Sequence, residues 1–419
     1  PRRILSCLLL LAVLWPGSVM AEKIRKNVLY FNSYQNGYQW SDEILAGIRE
    51  AFSHSDFNVD LQIEYMDSKK YTEPILRGML YAFYKLKYRN TRFEVILASD
   101  NFAFDFLREY QDELFPGTPV VFCGVNDFHQ QWLSGHPKFT GVLEEPDIRE
   151  TLELALRFHP DRRRLVIFGD TSITGVAIGN QLRAVEPAFA DRLTFEYQDN
   201  LSLQQILDAV HALPADAMIF LIPFYKDTLT DVYSVTEVLA AIRANSDVPI
   251  YSAWRFMLGH GIVGGKMHSG FEEGRLVAEM ADKLMHGVPL SALPVVTHTD
   301  DAYVFDYREM LRLGITTDKL PSNFTLINEP YPFYHVNIAV FWTVIISVII
   351  LCYVLVLLMT NILRRRRVEE TIKDQLSFME TLVNTIPIPL YFKDGTGAYK
   401  GCNPAFRTWC GLGGEATPA

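Results

Sequence analysis

An apolar run, VNIAVFWTVIISVIILCYVLVLLMTNIL, covers residues 336–363 of the 419-residue chain and contains no charged side chain. At about 1.5 Å of rise per residue, a helix of this length exceeds the roughly 30 Å hydrocarbon core of a bilayer. The run therefore predicts one transmembrane helix that is tilted or slightly overlong. Four arginines, Arg364 to Arg367, follow it directly, and positive charge beside a span marks its cytoplasmic end. We expect residues 22–335 on the outer side of the membrane and residues 364–419 in the cytoplasm.

A second, shorter apolar run, Ile4 to Trp15, lies near the start of the chain behind Arg2 and Arg3. It is too short to span a bilayer comfortably. Together with the small residues that end at Ala21, it predicts a signal peptide over residues 1–21. An uncleaved anchor is the alternative.

Net charge, cysteine usage and the absence of familiar motifs exclude several classes of protein. The net charge of −10 argues against nucleic acid as a partner. Only Cys123 lies between residues 22 and 335, so this part cannot form an internal disulfide and must depend on a large core. The histidines show no metal-binding spacing and no G-x-S-x-G motif is present. The sequence GHGIVG at 259–264 fits a dinucleotide-binding pattern by letters alone, since it does not directly open a helix. We therefore expect no catalytic residue, no metal and no cofactor in these residues.

Short β-branched runs alternate with amphipathic stretches through the outer part of the chain. The predicted strands are 28–31, 59–65, 93–99, 119–123, 164–169, 193–197, 217–223 and 249–253. The predicted helices lie near 41–53, 73–88, 102–113, 147–158, 175–186, 202–212, 231–244 and 271–286. This alternation is typical of α/β proteins with parallel sheets.

Two irregular stretches interrupt this alternation, at 124–147 and at 255–270. A chain can cross between two subdomains in such stretches, so we predict two lobes. A single eight-stranded barrel is the alternative on strand count, but a barrel places all its strands in one ring and rarely needs such crossings.

Polar and aromatic side chains follow several predicted strands, and ligands of open parallel sheets bind beyond these carboxyl ends. Ser41 is the expected cap of the first helix. Asn, Asp and Ser are common in ordinary turns, but large aromatic side chains are costly to expose unless they stack on something. The candidate ligand-binding residues are Asn32, Ser33, Tyr34, Trp40, Asp100, Asn101, Asn126, Thr171, Ser172, Tyr225, Trp254 and Arg255.

Two segments resemble the ABC-transporter-type substrate-binding protein family, which includes free periplasmic proteins and sensor ectodomains. They are VLYFNSYQNGYQWSDEILAGIREAF at 28–52 and SALPVVTHTDDAYVFDYREMLRLGITTDKLPSNF at 291–324. The second is the more specific, with LPV, the strand AYVFD and a short helix ending in LGI. The resemblance covers about residues 26–324 and implies a two-lobed periplasmic-binding-protein (Venus flytrap) ectodomain over residues 22–330. It implies that the lobes close on an amino acid or another small organic molecule without catalysis. Contact residues vary in the family, so the site residues rest on strand-end position alone.

The residues after the membrane span predict a short coiled coil and the beginning of a further domain. Apolar residues at coiled-coil spacing indicate a dimeric signalling helix over 364–385, with Gln375 interrupting one core position. These residues are Val368, Ile372, Met379, Leu382 and Ile386.

Residues 386–419 predict a strand, a tight turn at Asp394 to Gly397, a second strand, and a helix opened by Asn403 and Pro404. This pattern resembles the start of an α+β PAS domain, which is incomplete because a whole domain needs roughly a hundred residues.

Together these features predict a homodimeric receptor in a bacterial inner membrane, with a periplasmic ligand-binding domain and a cytoplasmic PAS domain. The signal from closure of the lobes on a small solute would be transmitted through the transmembrane helix to a histidine kinase output module and a response regulator. A diguanylate cyclase output module is one alternative. A membrane-tethered binding protein for an ABC transporter is the other.

Overall fold

The computed structural model describes residues 23–71, 73–229, 232–330 and 338–411. The predicted signal peptide, residues 1–21, lies outside the described residues. The chain divides into two compact units, Pro1–Glu329 and Pro330–Ala419.

The first lobe is built on a parallel sheet of five strands in the order β2-β1-β3-β4-β5. The central strands are continuous apolar runs because helices cover both faces of the sheet, as expected for parallel strands. The strands are β1 (Arg25–Asn32), β2 (Asn58–Tyr65), β3 (Val95–Ser99), β4 (Val120–Val125) and β5 (Phe139–Leu143). The helices between them are α1 (Gln39–Ser53), α2 (Glu73–Lys87) and α3 (Asp100–Leu114).

The second lobe contains a parallel sheet of four strands in the order β7-β6-β8-β9. Its strands are β6 (Arg164–Phe168), β7 (Thr194–Gln198), β8 (Ala217–Leu221) and β9 (Ile250–Tyr251). Its helices are α4 (Ile148–Phe158), α5 (Ile173–Val185), α6 (Leu203–His211) and α7 (Val235–Ala244). Side-chain oxygens cap three of these helices, since Ser172, Ser202 and Ser234 each accept a hydrogen bond from a backbone N–H in the first turn.

A third sheet lies beside the second lobe, with β10 antiparallel to β11 and β12 parallel to β11. The backbone N–H of Asp306 donates to the carbonyl of Val263, and the backbone N–H of Val263 donates to the carbonyl of Ile250 in β9. The elements are β10 (Gly264–Met267), β11 (Ala302–Asp306), the short helix α9 (Tyr307–Arg312) and β12 (Phe324–Ile327).

The helix α8 (Gly270–Met285) returns the chain to the first lobe and packs across α1. Glycine is required at this crossing, because a Cβ on Gly47 or Gly274 would lie 2.0 Å from a backbone oxygen of the other helix. The chain therefore passes between the lobes at 144–147, at 268–269 and at 297–301. We call these three stretches the crossing segments.

Three local expectations were wrong. The stretch 255–270 is not irregular throughout, because Gly264–Met267 forms the strand β10. The stretch 124–147 is not irregular throughout, because Phe139–Leu143 forms the fifth strand of the first sheet. Ser41 does not cap the first helix, which begins at Gln39 with Tyr38 as its N-cap residue. The Ser41 hydroxyl instead donates to Asn32 Oδ1 at 2.9 Å, inside the first lobe.

The second unit begins with the 48-residue helix α10 (Ile338–Thr385), which contains a stretch long and apolar enough to cross a membrane. It continues into an antiparallel hairpin of β13 (Tyr391–Lys393) and β14 (Tyr399–Cys402) and the short helix α11 (Pro404–Trp409). Buried Asn403 caps α11 through Phe406 N and also bonds the backbone of Ile386, Ile388 and Leu390. Residues 412–419 of the predicted PAS start lie outside the described residues.

Candidate ligand-binding cleft

A cavity of about 460 Å³ lies between the two lobes. Tyr34, Tyr38 and Asn101 line it from the first lobe, and Ser172 and Tyr225 line it from the second. Its volume falls in the range of roughly 300–1,000 Å³ that small-molecule sites occupy. Most of these side chains follow the carboxyl ends of strands, where parallel sheets bind their ligands.

The lobes contact each other directly across this cleft. The Tyr34 hydroxyl forms a hydrogen bond of 3.1 Å with the hydroxyl of Thr174 at the start of α5. The Tyr38 ring packs against Tyr225 at 4.7 Å between centroids. Aromatic side chains from both lobes therefore meet over the cavity and hold the lobes together.

The ammonium group of Lys69 lies among the tyrosines of the cleft. Lys69 Nζ is 3.4 Å from the ring centroid of Tyr225, 4.5 Å from that of Tyr34 and 5.0 Å from that of Tyr38. It donates a long hydrogen bond of 3.4 Å to the Tyr38 hydroxyl. Burial lowers the pKa of Lys69 to about 8, although the charges of Asp170 and Asp100 favour the ammonium form.

The carboxyl group of Asp100 lies at the inner end of the cleft, where the space narrows. Its Oδ1 accepts a hydrogen bond of 3.0 Å from Trp40 Nε1, whereas its Oδ2 has no hydrogen-bond partner among the described residues. Asp100 opens α3 with a positive φ of 69°, a conformation that aspartate tolerates better than most residues. Burial raises the pKa of this carboxyl to about 7, against the opposing effects of the Lys69 charge and the Trp40 bond.

Glu144 bounds the same inner space from the first crossing segment. Its Oε1 accepts from Trp254 Nε1 at 2.8 Å and its Oε2 accepts from Asn126 Nδ2 at 2.7 Å. Burial raises the pKa of Glu144 to about 8, with a further contribution from the negative charge of Glu273. The inner end of the cleft therefore holds two acidic groups that are buried and held by neutral donors.

Asp170 organises the second-lobe wall of the cleft. Its Oδ2 accepts from the backbone N–H of Tyr225 at 3.0 Å and of Lys226 at 3.4 Å, and its Oδ1 accepts from the Ser172 backbone at 3.1 Å. The carboxylate thus fixes the two strand-end loops that present Ser172 and Tyr225.

A buried charge cluster lies beside the cleft. It is formed by His268 and Asp301, from the other two crossing segments, and by Glu273 of α8. His268 Nε2 bonds Glu273 Oε1 at 2.9 Å, and His268 Nδ1 lies 3.1 Å from both Asp301 oxygens. Glu273 Oε2 also accepts from the backbone N–H of Gly124, where β4 carries a register shift and a positive φ of 65°. Burial opposes the imidazolium charge, but the bonds to Asp301 and Glu273 outweigh it and raise the pKa of His268 well above its usual value. We call these three side chains the His268 cluster.

The structure brings seven of the twelve predicted site residues to the cavity. Tyr34, Trp40, Asn101, Ser172 and Tyr225 line its main part, and Asp100 and Trp254 bound its inner end. Their roles in binding remain predictions.

The other five predicted residues do not line the cavity. The side chains of Asn32, Ser33 and Asn126 are buried behind it, where they bond to the strand-end turns and to Glu144. Thr171 is exposed and borders a separate small cavity near Asp170. Arg255 is also exposed, because the neighbouring side chains Trp254 and Phe256 take the inward positions.

Several residues of the cleft were not among the predicted site residues, and they include Tyr38, Lys69, Glu144 and Phe256. Lys69 lies in the turn after the carboxyl end of β2, a strand end for which no site residue was predicted. Glu144 directly follows β5, which the sequence pattern did not reveal as a strand. Phe256 carries no signal in the sequence that separates it from an ordinary core residue.

The first compact unit, Pro1–Glu329, shares its fold with substrate-binding proteins of known structure. No family model and no curated protein matches this chain. The ABC domain solved in complex with L-Trp from Streptococcus pneumonia aligns with a TM-score of 0.54 at 14% identity, covering 72% of this chain and 100% of that one. The ligand-free, open structure of CD0873, a substrate binding protein with adhesive properties from Clostridium difficile, aligns at 0.51 and 15% identity, covering 72% and 99%. A conserved domain protein from Vibrio cholerae aligns at 0.52 and 12% identity with the same coverage. At these identities the likeness concerns the fold, and it agrees with the predicted two-lobed binding-protein architecture.

Proposed function

We propose that this chain is the sensing part of a membrane receptor that binds a small solute between its two outer lobes. The observation that carries the proposal is the cavity of about 460 Å³ lined by tyrosines of both lobes. The fold shared with substrate-binding proteins supports it.

Binding would act on the equilibrium between open and closed lobes. A solute that touches both walls stabilises the closed state by the difference between its affinities for the two states. Moving a mostly open population to a mostly closed one requires about 5.5 kcal/mol of that difference. Contacts with Tyr34 and Asn101 on one side and with Ser172 and Tyr225 on the other are the proposed source.

The rest of the chain supports a signalling role over transport alone. The helix α10 continues past Arg364 to Arg367 and includes all the predicted coiled-coil positions except Ile386, since it ends at Thr385. The hairpin and capped helix after it agree with the order of elements expected at the start of a PAS domain. A binding protein tethered beside an ABC transporter would need neither feature. We therefore propose a homodimeric inner-membrane receptor with a histidine kinase or diguanylate cyclase output module.

A thermal-shift screen of the full chain in detergent micelles tests the binding step. Amino acids are the first compounds to screen, since the neighbour from Streptococcus pneumonia was solved with L-Trp. A compound that raises the melting temperature of the unaltered chain should lose this effect when Tyr34 and Asp100 are both replaced by alanine. Asp208→Ala, at an exposed position on α6, is the control and should retain it. An undiminished shift in the double variant would rule out this cleft as the site.

A further inference from the structure

The Lys69 ammonium lies against aromatic faces, and the carboxyl groups of Asp170 and Asp100 attract it without a direct ion pair among the described residues. Three tyrosine rings lie within 5.0 Å of Nζ, one of them from the opposite lobe. Among the described residues Lys69 forms no ion pair, and its one hydrogen bond is the 3.4 Å contact with Tyr38. Aromatic cages of this kind bind alkylammonium groups through the negative potential of the ring faces.

A second observation independently indicates a cationic ligand. The Asp100 side chain is 2% exposed and bounds the inner end of the cleft, and its Oδ2 lacks a hydrogen-bond partner within the described part of the chain. Glu144 lies at the same inner end without a charged partner in an ion pair among those residues. A positive charge in this small space would stabilise the charged forms of both acids, and Asp100 Oδ2 can accept a hydrogen bond from it.

We propose that the natural ligand carries an alkylammonium group, and that this group takes the place of the Lys69 ammonium among Tyr34, Tyr38 and Tyr225. The inference rests on the proposed function and names the ligand class for the same cleft. Lys69 belongs to a turn after β2 that is not part of a helix or strand, so its long side chain can leave the cage without disrupting the first sheet. In the ligand-free protein, the Lys69 ammonium then occupies the cage, and the ligand must displace it to bind.

An anion is the competing ligand class. Lys70 and Lys226 also line the cleft, and an acidic ligand would use Lys69 as a direct partner. The two classes give opposite expectations for removal of Lys69. An alkylammonium ligand gains an empty cage, whereas an anionic ligand loses a charge partner.

The test measures choline binding by calorimetry to the full chain in detergent micelles. The matched probe is 3,3-dimethylbutan-1-ol, which has nearly the same shape but no charge. Lys69→Ala should bind choline at least about tenfold more tightly than the unaltered chain does, and about tenfold more tightly than it binds the neutral probe. Equal binding of the two probes by Lys69→Ala, or no gain in choline affinity over the unaltered chain, would overturn the proposal.

A second variant separates the cage from a general change in the cleft. Tyr225→Leu in the Lys69→Ala background should lose most of the gain for choline, whereas Tyr225→Phe, which retains the ring, should keep it. Equal affinity of the leucine and phenylalanine variants would also overturn the proposal. If Lys69→Ala binds no choline but the solute screen still yields a ligand that depends on Tyr34 and Asp100, the cationic class is wrong and the receptor function stands.

Discussion

The cleft and the His268 cluster each bury two acidic side chains, yet these are partnered in different ways. In the His268 cluster, Glu273 and Asp301 share one imidazolium. At the inner end of the cleft, Asp100 and Glu144 are held by the indole N–H groups of Trp40 and Trp254 and have no ion pair among the described residues. The ion-paired acids contribute to the fold, whereas Asp100 and Glu144 bond directly only to neutral donors, although the Lys69 charge also acts on Asp100. We expect this second pair to respond to a positively charged ligand.

Trp40 connects the two regions. Its Nε1 donates to Asp100, and its ring stacks on His268 at 6.0 Å between centroids with an angle of 29°. The crossing segments, where a hinge between the lobes is expected, therefore lie directly against the inner end of the cleft. Trp40 thus contacts both Asp100 and the His268 cluster.

The largest effect is expected from removing the shared imidazolium. His268→Leu leaves Glu273 and Asp301 buried without a charged partner, which should lower the free energy of unfolding by about 3–5 kcal/mol. Urea unfolding of the full chain, followed by tryptophan fluorescence, measures the loss. His211→Leu, at an exposed position in the last turn of α6, is the control and should change little. A loss below about 1 kcal/mol for His268→Leu would show that the acids of the His268 cluster do not depend on a charged partner, as the acids of the cleft do not.

The pH dependence of this contribution follows from the direction of the pKa shift. The pKa of His268 is higher in the folded chain than the ordinary value. Its contribution is therefore fully present below the unfolded pKa of roughly 6.5, and it is lost as pH rises through the folded pKa.

A smaller effect of opposite sign is expected at the cleft. Because the pKa of Asp100 rises to about 7, the folded chain holds a proton that the unfolded chain releases near pH 4. Its effect on stability is therefore most favourable at low pH and becomes unfavourable as pH rises through 7. Asp100→Asn removes this unfavourable effect on the free energy of unfolding, and asparagine tolerates the positive φ at this position.

Between pH 5 and pH 8.5, the gain in the free energy of unfolding of Asp100→Asn over the unaltered chain should thus grow by about 1–3 kcal/mol. Urea unfolding at the two pH values measures the difference. Asp208→Asn, on the exposed face of α6, should show no such dependence on pH. A stability gain of the same size at pH 5 would mean that the charge of Asp100 is not its cause.

Much of the fold could be predicted from the sequence because its signals are local. Each of the eight predicted strands overlaps a strand of the structure, since continuous apolar runs such as VVFC suit strands buried on both faces. The strand β5 was missed because Phe139–Leu143 includes Gly141, which weakens the pattern and lies where a Cβ would clash with Phe122.

The candidate site was predicted less completely, for reasons of tertiary packing. Strand-end position identified Tyr34, Asp100 and Tyr225, but it cannot tell which of two adjacent side chains faces the cleft. The cage around Lys69 joins a turn of the first lobe to a strand-end loop of the second, 156 residues apart in the chain. No local pattern reports such a contact.

The smallest effects are expected where the predicted site extends beyond the cavity. Thr171 and Arg255 are exposed, whereas their neighbours Ser172 and Phe256 line the cleft. With any solute found in the screen, Thr171→Ala and Arg255→Ala should each change the dissociation constant by less than about twofold. Ser172→Ala and Phe256→Ala should each weaken binding by about tenfold, since a hydrogen bond or a buried aromatic contact contributes on the order of 1 kcal/mol or more.

Calorimetry on the four variants makes this comparison between chain neighbours. Urea unfolding of each variant accounts for the helix cap that Ser172 provides and for the buried position of Phe256. If Arg255→Ala weakens binding as much as Phe256→Ala does, the solute must reach the outer surface beside α1. The acids at the inner end of the cleft would then not be its main partners. If only the inward-facing member of each pair matters, the ligand lies wholly between the lobes, where Asp100 and Glu144 are the acidic groups at the inner end.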